Sequence, residues 1–137
     1  MARFARLLRE HPGAAPDLFT AVELAGCAGK RRWTEHLAAR FAAKEAVLKA
    51  LGTGLGPRMR WTDIEVANDP EGRPIVFLGG AVAARADACG FRQVCLSLTH
   101  TADFAIAQAA AVRGNNADLS WLARDGGTKA VDQCAFT

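Results

Sequence analysis

Apolar residues recur at helical spacing around residues 39–54, where the sequence reads A-R-F-A-A-K-E-A-V-L-K-A-L-G-T-G. The apolar stripe comprises Leu37, Phe41, Leu48 and Leu51. The alanines between these positions are strong helix formers, so the pattern predicts a long helix over residues 34–51. Gly52 stands where a C-terminal cap belongs, and Gly54 keeps the chain turning after the helix ends.

Shorter helices are predicted on both sides of this central helix. Residues 2–11 carry apolar positions along one side and end at a Pro-Gly pair, and residues 80–89 are rich in alanine. The segment Thr20-Ala-Val-Glu23 has the form of a capping box and predicts the start of a further helix.

Alternation of apolar and polar residues predicts four strands that pair as two hairpins. The strands cover residues 61–67, 74–78, 93–99 and 104–112. An Asn-Asp-Pro-Glu-Gly turn joins the first pair, and His100 and Thr101 lie at the turn of the second. We therefore predict an α+β fold, in which a small antiparallel sheet of two hairpins packs on the long central helix.

The length of 137 residues is typical of one domain. The periodic pattern stops after residue 112, and the sequence beyond it contains two stretches rich in glycine and asparagine. We expect a folded domain over residues 1–112 and a flexible tail over residues 113–137.

Composition narrows the class of protein. The net charge of +3 permits an acidic partner without demanding nucleic acid, and aromatic and basic residues do not interleave. No apolar run approaches the roughly 20 residues of a membrane span, and no secretory apolar region follows the N-terminal arginines. The four cysteines form no C-x-x-C pair and are expected to be reduced core residues. These features predict a cytoplasmic protein that binds neither nucleic acid nor membrane.

The polar side of the central helix carries Arg40, Lys44, Glu45 and Lys49. In one interpretation these residues form a solvated face, with Glu45 and Lys49 joined in an i,i+4 ion pair. In the other they form a phosphate and metal site, where the cations hold phosphate oxygens and the carboxylate holds a divalent ion. The charges taken alone leave both interpretations open.

The same stretch resembles the R-F-A-A-K-E-A…K-A-L-G-T-G signature of the holo-acyl-carrier-protein synthases, a family of 4′-phosphopantetheinyl transferases. Two further segments are similar to the family, W-T-D-I-E-V…D-x-x-G-R-P from Trp61 and S-L-T-H-T from Ser97. The resemblance extends over residues 3–112 and favours the phosphate and metal site.

The resemblance implies a transferase that moves the phosphopantetheine arm of coenzyme A to a serine of apo acyl carrier protein in fatty-acid or polyketide biosynthesis. Adenosine 3′,5′-bisphosphate leaves in a displacement at the β-phosphorus of a pyrophosphate. Mg²⁺ is the implied cofactor, because this ion bridges substrate phosphates with only one or two protein carboxylates. Members of the family are homotrimers with each active site between neighbouring subunits.

The resemblance also implies roles for the charged residues of the central helix. Glu45 would ligate Mg²⁺ and assist deprotonation of the serine, directly or through a water molecule. Lys49 would stabilise the pyrophosphate as charge builds on the leaving group. Lys44 and Arg40 would hold other phosphate oxygens.

The remaining coenzyme A contacts are expected outside that helix. Gly52 and Gly54 would let backbone N–H groups approach phosphate. His100 and Thr101 would contact coenzyme A from the second hairpin.

The first helix carries arginines at positions 3, 6 and 9 along its outer side. These residues are either a solvated face or a docking surface for an acidic helix. Family members hold the acidic carrier protein with basic residues of this helix, and Arg3 and Arg6 are the docking residues that the resemblance implies.

One departure from the family concerns the metal site. Family members begin with a G-x-D strand whose aspartate is a second Mg²⁺ ligand, and this strand would lie before Met1 of the present sequence. A start site placed too late is the preferred explanation. The alternative function is an impaired homologue that binds coenzyme A or carrier protein without turnover. A nucleic-acid-binding protein is a third hypothesis, which rests on the basic charge alone.

Overall fold

The computed structural model describes residues 1–113, 122–124 and 128–130. The helices are α1 (Ala2–Glu10), α2 (Ala15–Leu18), α3 (Ala21–Cys27), α4 (Trp33–Ala50) and α5 (Gly80–Ala88). The strands are β1 (Ile64–Asn68), β2 (Pro74–Leu78), β3 (Phe91–His100), β4 (Ala105–Arg113), β5 (Leu122–Arg124) and β6 (Thr128–Ala130). Short 3₁₀ turns lie at Pro12–Ala14 and Trp61–Asp63.

The central helix α4 confirms the prediction to within one residue at each end. Gly52 adopts the left-handed conformation with φ of 75°. Its N–H donates to the carbonyl of Lys49, and the N–H of Thr53 donates to the carbonyl of Leu48. This is the Schellman arrangement, which satisfies the last carbonyls of the helix and requires a residue that tolerates positive φ.

The strands form two antiparallel sheets rather than one. The predicted hairpins are present, with β1 paired to β2 and β3 paired to β4, but they belong to different sheets. The free edge of β2 pairs with β6, where Phe77 lies opposite Ala130 and Leu78 opposite Lys129. Among the described strands, β3 pairs only with β4. The predicted α+β class is confirmed, with this correction to the sheet.

Two clusters of buried residues form the core. The larger lies between α4, α5 and both hairpins, and the smaller lies under the N-terminal helices. The large cluster contains Ala43, Val47, Leu48, Leu51, Ile64, Val66, Val76, Leu78, Val82, Ala83, Ala86, Phe91 and Val94. The small cluster contains Leu8, Phe19, Cys27 and Leu37. Since α4 contributes to both clusters, it is the element around which the domain packs.

Residues 113–137 are predicted to form a flexible tail. In the parts of it that the structure describes, β5 pairs with β6 and β6 pairs with β2, which the prediction did not include. The rest of the predicted tail lies outside the described residues.

Two observations bear on the predicted compartment. In the described part of the chain, no helix has both the length and the apolar character that a membrane span requires. Cys27 and Cys89 are free thiols, as expected. The cytoplasmic location stays a prediction.

The start of α5 depends on a glycine, which we test with Gly80→Ala. Gly80 has φ of 51°, and a Cβ there would lie 2.6 Å from Oδ1 of the buried Asp63 carboxylate. That carboxylate accepts a hydrogen bond from the N–H of Arg60 and would have to move. We expect Gly80→Ala to lower the free energy of unfolding by about 2–4 kcal/mol, measured by urea denaturation.

Gly29→Ala is the matched control for this substitution. Gly29 also has a positive φ, of 76°, but a Cβ there would meet no atom within 4 Å. Gly29→Ala should therefore lower the free energy of unfolding by only about 1–2 kcal/mol, which is the cost of holding an alanine backbone at positive φ. If Gly80→Ala and Gly29→Ala lowered the free energy of unfolding equally, the proposed steric conflict with Asp63 would be contradicted.

Candidate active site

The charged residues of α4 separate into an inward and an outward set. Lys44 belongs to the inward set and its side chain is completely buried. Its Nζ lies 2.8 Å from Oε2 of Glu23 and donates to the carbonyls of Leu18 at 2.7 Å and Trp61 at 3.0 Å. An ammonium group has three protons, so these three acceptors use its whole donor capacity.

Glu23 is the buried partner of Lys44, with 1% of its surface exposed. Its Oε2 accepts from the N–H of Thr20 at 2.8 Å, which completes the predicted capping box. Its Oε1 accepts from the N–H of Val66 at 2.8 Å. Burial raises the pKa of Glu23 and lowers the pKa of Lys44, because each loses the water that stabilises its charge. The pairing and hydrogen bonds between them offset part of that cost.

These contacts overturn the predicted role of Lys44. A phosphate ligand needs an accessible ammonium group with an unused proton, and Lys44 has neither. Lys44 does belong to the motif, but its side chain joins α4 to the segments before and after it. The prediction that Lys44 holds phosphate oxygens is wrong.

Arg40 also points inward, on the side of α4 that it shares with Lys44. Its Nε donates to the carbonyl of Val66 at 3.2 Å, and its Nη1 donates to Sγ of Cys27 at 3.1 Å. At 100° per residue, Arg40 projects about 140° away from Glu45 around the helix. The guanidinium ties α4 to β1 and α3, and the phosphate contact of Arg40 stays a prediction that these contacts do not support.

Glu45 and Lys49 form the outward set. Glu45 is half-buried and Lys49 is exposed, one turn apart on the same side of α4. Within the described residues, neither side chain has an ion pair or a hydrogen bond. The i,i+4 ion pair of the solvated-face interpretation is absent from this part of the chain. A carboxylate and an ammonium group are therefore left side by side and available to a ligand.

The loop after α4 contains Gly52 and Gly54, the two glycines predicted to approach phosphate. The N–H of Gly52 donates within the helix cap, so its phosphate contact finds no support here and stays a prediction. Gly54 is exposed, and its N–H has no hydrogen-bond acceptor among the residues the structure describes. A Cβ at Gly54 would meet no atom within 4 Å, so the space over this backbone is open.

His100 lies at the end of β3, against the first turns of α4. Its Nδ1 is 3.9 Å from Oε2 of Glu35, and its ring centroid is 5.2 Å from that of His36. Thr101 closes the hairpin turn, where its Oγ1 accepts from the N–H groups of Asp103 at 3.3 Å and Phe104 at 3.2 Å. The imidazole and the hydroxyl proton of Thr101 remain available at the surface.

The structure does not bring His100 together with Glu45 within one chain. His100 contacts His36, and nine residues of helix separate His36 from Glu45. That separation corresponds to about 13 Å along the helix axis. The outward set and the hairpin turn are thus two separate half-sites at different levels along α4.

The outer face of α1 carries the predicted docking residues. Arg3 and Arg6 are exposed, and Arg6 makes a surface ion pair of 3.8 Å with Glu10. Leu7 lies beside them with 43% of its surface exposed. An exposed apolar residue between arginines is typical of a protein-binding face.

The sequence is similar to a known family of enzymes over most of its length. The sequence profile of the 4′-phosphopantetheinyl transferase superfamily matches residues 1–109. A relative is the holo-acyl-carrier-protein synthase of Moorella thermoacetica, 42% identical over 109 residues, which cover 80% of this chain and 84% of that protein.

Solved structures show the same fold. The holo-acyl-carrier-protein synthase of Neisseria meningitidis has a TM-score of 0.74 and 32% identity, over 82% of this chain and 90% of that one. The Helicobacter pylori enzyme, solved in complex with coenzyme A, has a TM-score of 0.70 and 27% identity, over 81% of this chain and 92% of that one.

The two lysines of α4 should respond differently to the same substitution. Lys44→Ala leaves the buried Glu23 carboxylate unpaired, and we expect the free energy of unfolding to fall by about 3–5 kcal/mol. Lys49→Ala changes an exposed side chain, and the expected loss is below about 0.5 kcal/mol. Urea denaturation measures both. A stable Lys44→Ala protein that no longer bound coenzyme A would restore Lys44 as a ligand.

Proposed function

The chain belongs to the 4′-phosphopantetheinyl transferase superfamily, and we propose that it is a holo-acyl-carrier-protein synthase. It transfers 4′-phosphopantetheine from coenzyme A to a serine of apo acyl carrier protein. The relative and the solved structures named above support this function over most of the chain. The observation that carries it is the pair of Glu45 and Lys49 on the outer side of α4, which has no partner among the residues that the structure describes.

The reaction sets clear demands on the protein. The serine oxygen forms a bond to the β-phosphorus of coenzyme A while losing its proton. The bond from that phosphorus to the bridging oxygen breaks, and adenosine 3′,5′-bisphosphate leaves with the electron pair. Negative charge grows on the leaving group, so fixed positive charge and N–H donors beside it accelerate the step. Lys49 and the backbone N–H of Gly54 provide these groups.

Glu45 is the proposed ligand for Mg²⁺. The described residues contain no cluster of three or more His, Cys, Asp or Glu side chains arranged to hold a metal. Mg²⁺ commonly binds through one or two carboxylates, with substrate phosphates and water completing its coordination. The half-buried Glu45 carboxylate, which has no partner in the described structure, fits that pattern. When bound, the ion would neutralise charge on the phosphates.

The active site is proposed to form between subunits of a homotrimer. His100, which contacts coenzyme A in this proposal, lies about 13 Å along α4 from Glu45. In the proposed assembly, each of these half-sites faces the complementary half-site of a neighbouring copy. The second hairpin leaves large apolar side chains uncovered, with exposed fractions of 70% for Phe104, 58% for Ile106 and 43% for Val112. Exposed apolar side chains of this kind are typical of a surface that another copy covers, which supports the proposed assembly.

Intact-mass measurement tests the proposed reaction directly. Apo acyl carrier protein is incubated with the chain, coenzyme A and Mg²⁺, and we expect its mass to rise by one phosphopantetheine. Coenzyme A binding without any mass change would overturn the proposal in favour of the impaired homologue.

Glu45→Gln separates the metal-binding role from folding. The substitution keeps the size of the side chain and removes its negative charge, so Mg²⁺-dependent transfer should fall at least about a hundredfold. The free energy of unfolding should change by less than about 0.5 kcal/mol, because Glu45 has no partner to lose in the described structure. Unchanged turnover would remove Glu45 from the metal site.

Charge reversal on α1 tests the docking surface. Arg3→Glu should weaken the binding of acidic carrier protein about tenfold in calorimetry and leave the affinity for coenzyme A unchanged. Arg85→Glu is the matched control, since Arg85 is also exposed but lies on α5. Equal effects of the two substitutions would mean that only the net charge of the protein matters.

A further inference from the structure

Glu35, in the first turn of α4, has an unusual environment for a carboxylate. Its Oε2 is the one buried side-chain oxygen or nitrogen in the described part of the chain that has no hydrogen-bond partner. The side chain as a whole is 18% exposed. A buried carboxylate oxygen without a donor is costly, which indicates that a donor approaches it in the working state.

Two donors lie close to this oxygen. Nη1 of Arg32 is 3.6 Å away, and Nδ1 of His100 is 3.9 Å away. Both distances exceed the usual range of a hydrogen bond. The Arg32 side chain is 63% exposed and can remain hydrated, whereas His100 is 32% exposed and faces the carboxylate from β3. A shift of about 1 Å in the hairpin end would bring His100 into hydrogen-bond range.

We propose that Glu35 is a positioning residue for His100, accepting a hydrogen bond from its Nδ1–H so that Nε2 faces the bound ligand. The proposal rests on the proposed function, in which that ligand is coenzyme A. A carboxylate at Nδ1 fixes the tautomer and the orientation of the ring. When the ring carries a second proton, Nε2–H becomes a donor aimed at a phosphate, and Glu35 stabilises the positive charge.

The neighbouring charges are compatible with this assignment. His36 packs against the His100 ring, and its pKa is lowered by burial and by the positive charges of Lys30, His100 and Arg40. These causes disfavour a positive charge on His36, although Glu35 itself acts in the opposite direction. Arg32 is the remaining competitor and serves as the control below.

Nitrogen-15 NMR of the imidazole reports the tautomer in the protein without ligand. At alkaline pH, where histidine is neutral, we expect His100 to carry its proton on Nδ1. Glu35→Ala should shift it to the Nε2–H form that free imidazole side chains prefer, and Arg32→Gln should leave it unchanged. The His100→Gln spectrum assigns the signal. An unchanged tautomer in Glu35→Ala, or an equal shift in Arg32→Gln, would overturn the proposal.

Calorimetry with coenzyme A measures the consequence for binding. Glu35→Ala and His100→Ala should each raise the dissociation constant about tenfold, and the double variant should be no weaker than His100→Ala alone. Additive losses would overturn the proposal, since they would show that the two residues act separately. If the wild-type chain bound no coenzyme A, the proposed function would fail, while the tautomer measurement would still decide the Glu35–His100 contact.

Discussion

The buried ion pair between Glu23 and Lys44 is the interaction on which the arrangement of this domain depends. It joins the end of α2, the cap of α3, the middle of α4, the turn before β1 and β1 itself through direct contacts. Every donor and acceptor that the pair carries into the core is used. A buried pair need not add stability over apolar residues, but losing one partner is severe, so it specifies one packing of these elements.

The same pair determines how α4 presents its outer residues. Glu45 follows Lys44 directly, so it projects about 100° further around the helix. With Lys44 held in the core, Glu45 must lie at the boundary of the helix, half-buried, and Lys49 must lie one turn beyond it in solvent. One short motif thus contains both a residue that anchors the helix in the core, Lys44, and residues proposed to bind the ligand, Glu45 and Lys49. The anchoring of Lys44 sets the rotation of α4 about its axis, and this rotation places Glu45 and Lys49 on the outer side.

Several elements could be predicted from the sequence because their signals are local. The capping box at Thr20 and Glu23, the helix end at Gly52 and both hairpins depend on neighbouring residues alone, and all are present. Neither the division into two sheets nor the pairing of β6 with β2 was predicted, because each depends on residues far apart in sequence, such as Phe77 and Ala130. The contact of Glu35 with His100 was missed for the same reason, since 65 residues separate the two.

The sequence by itself determined the family, the α+β class and the set of charged residues from which the site is drawn. A motif consists of residue types and their spacing, and it can be recognised without knowing which way each side chain points. Only the tertiary structure decided that Lys44 and Arg40 point into the core while Glu45 and Lys49 point outward. It also decided that His100 lies against the first turns of α4, away from Glu45. The physical reason is that a charge on a helix can be solvated or paired in the core, and the choice rests on partners far away in sequence.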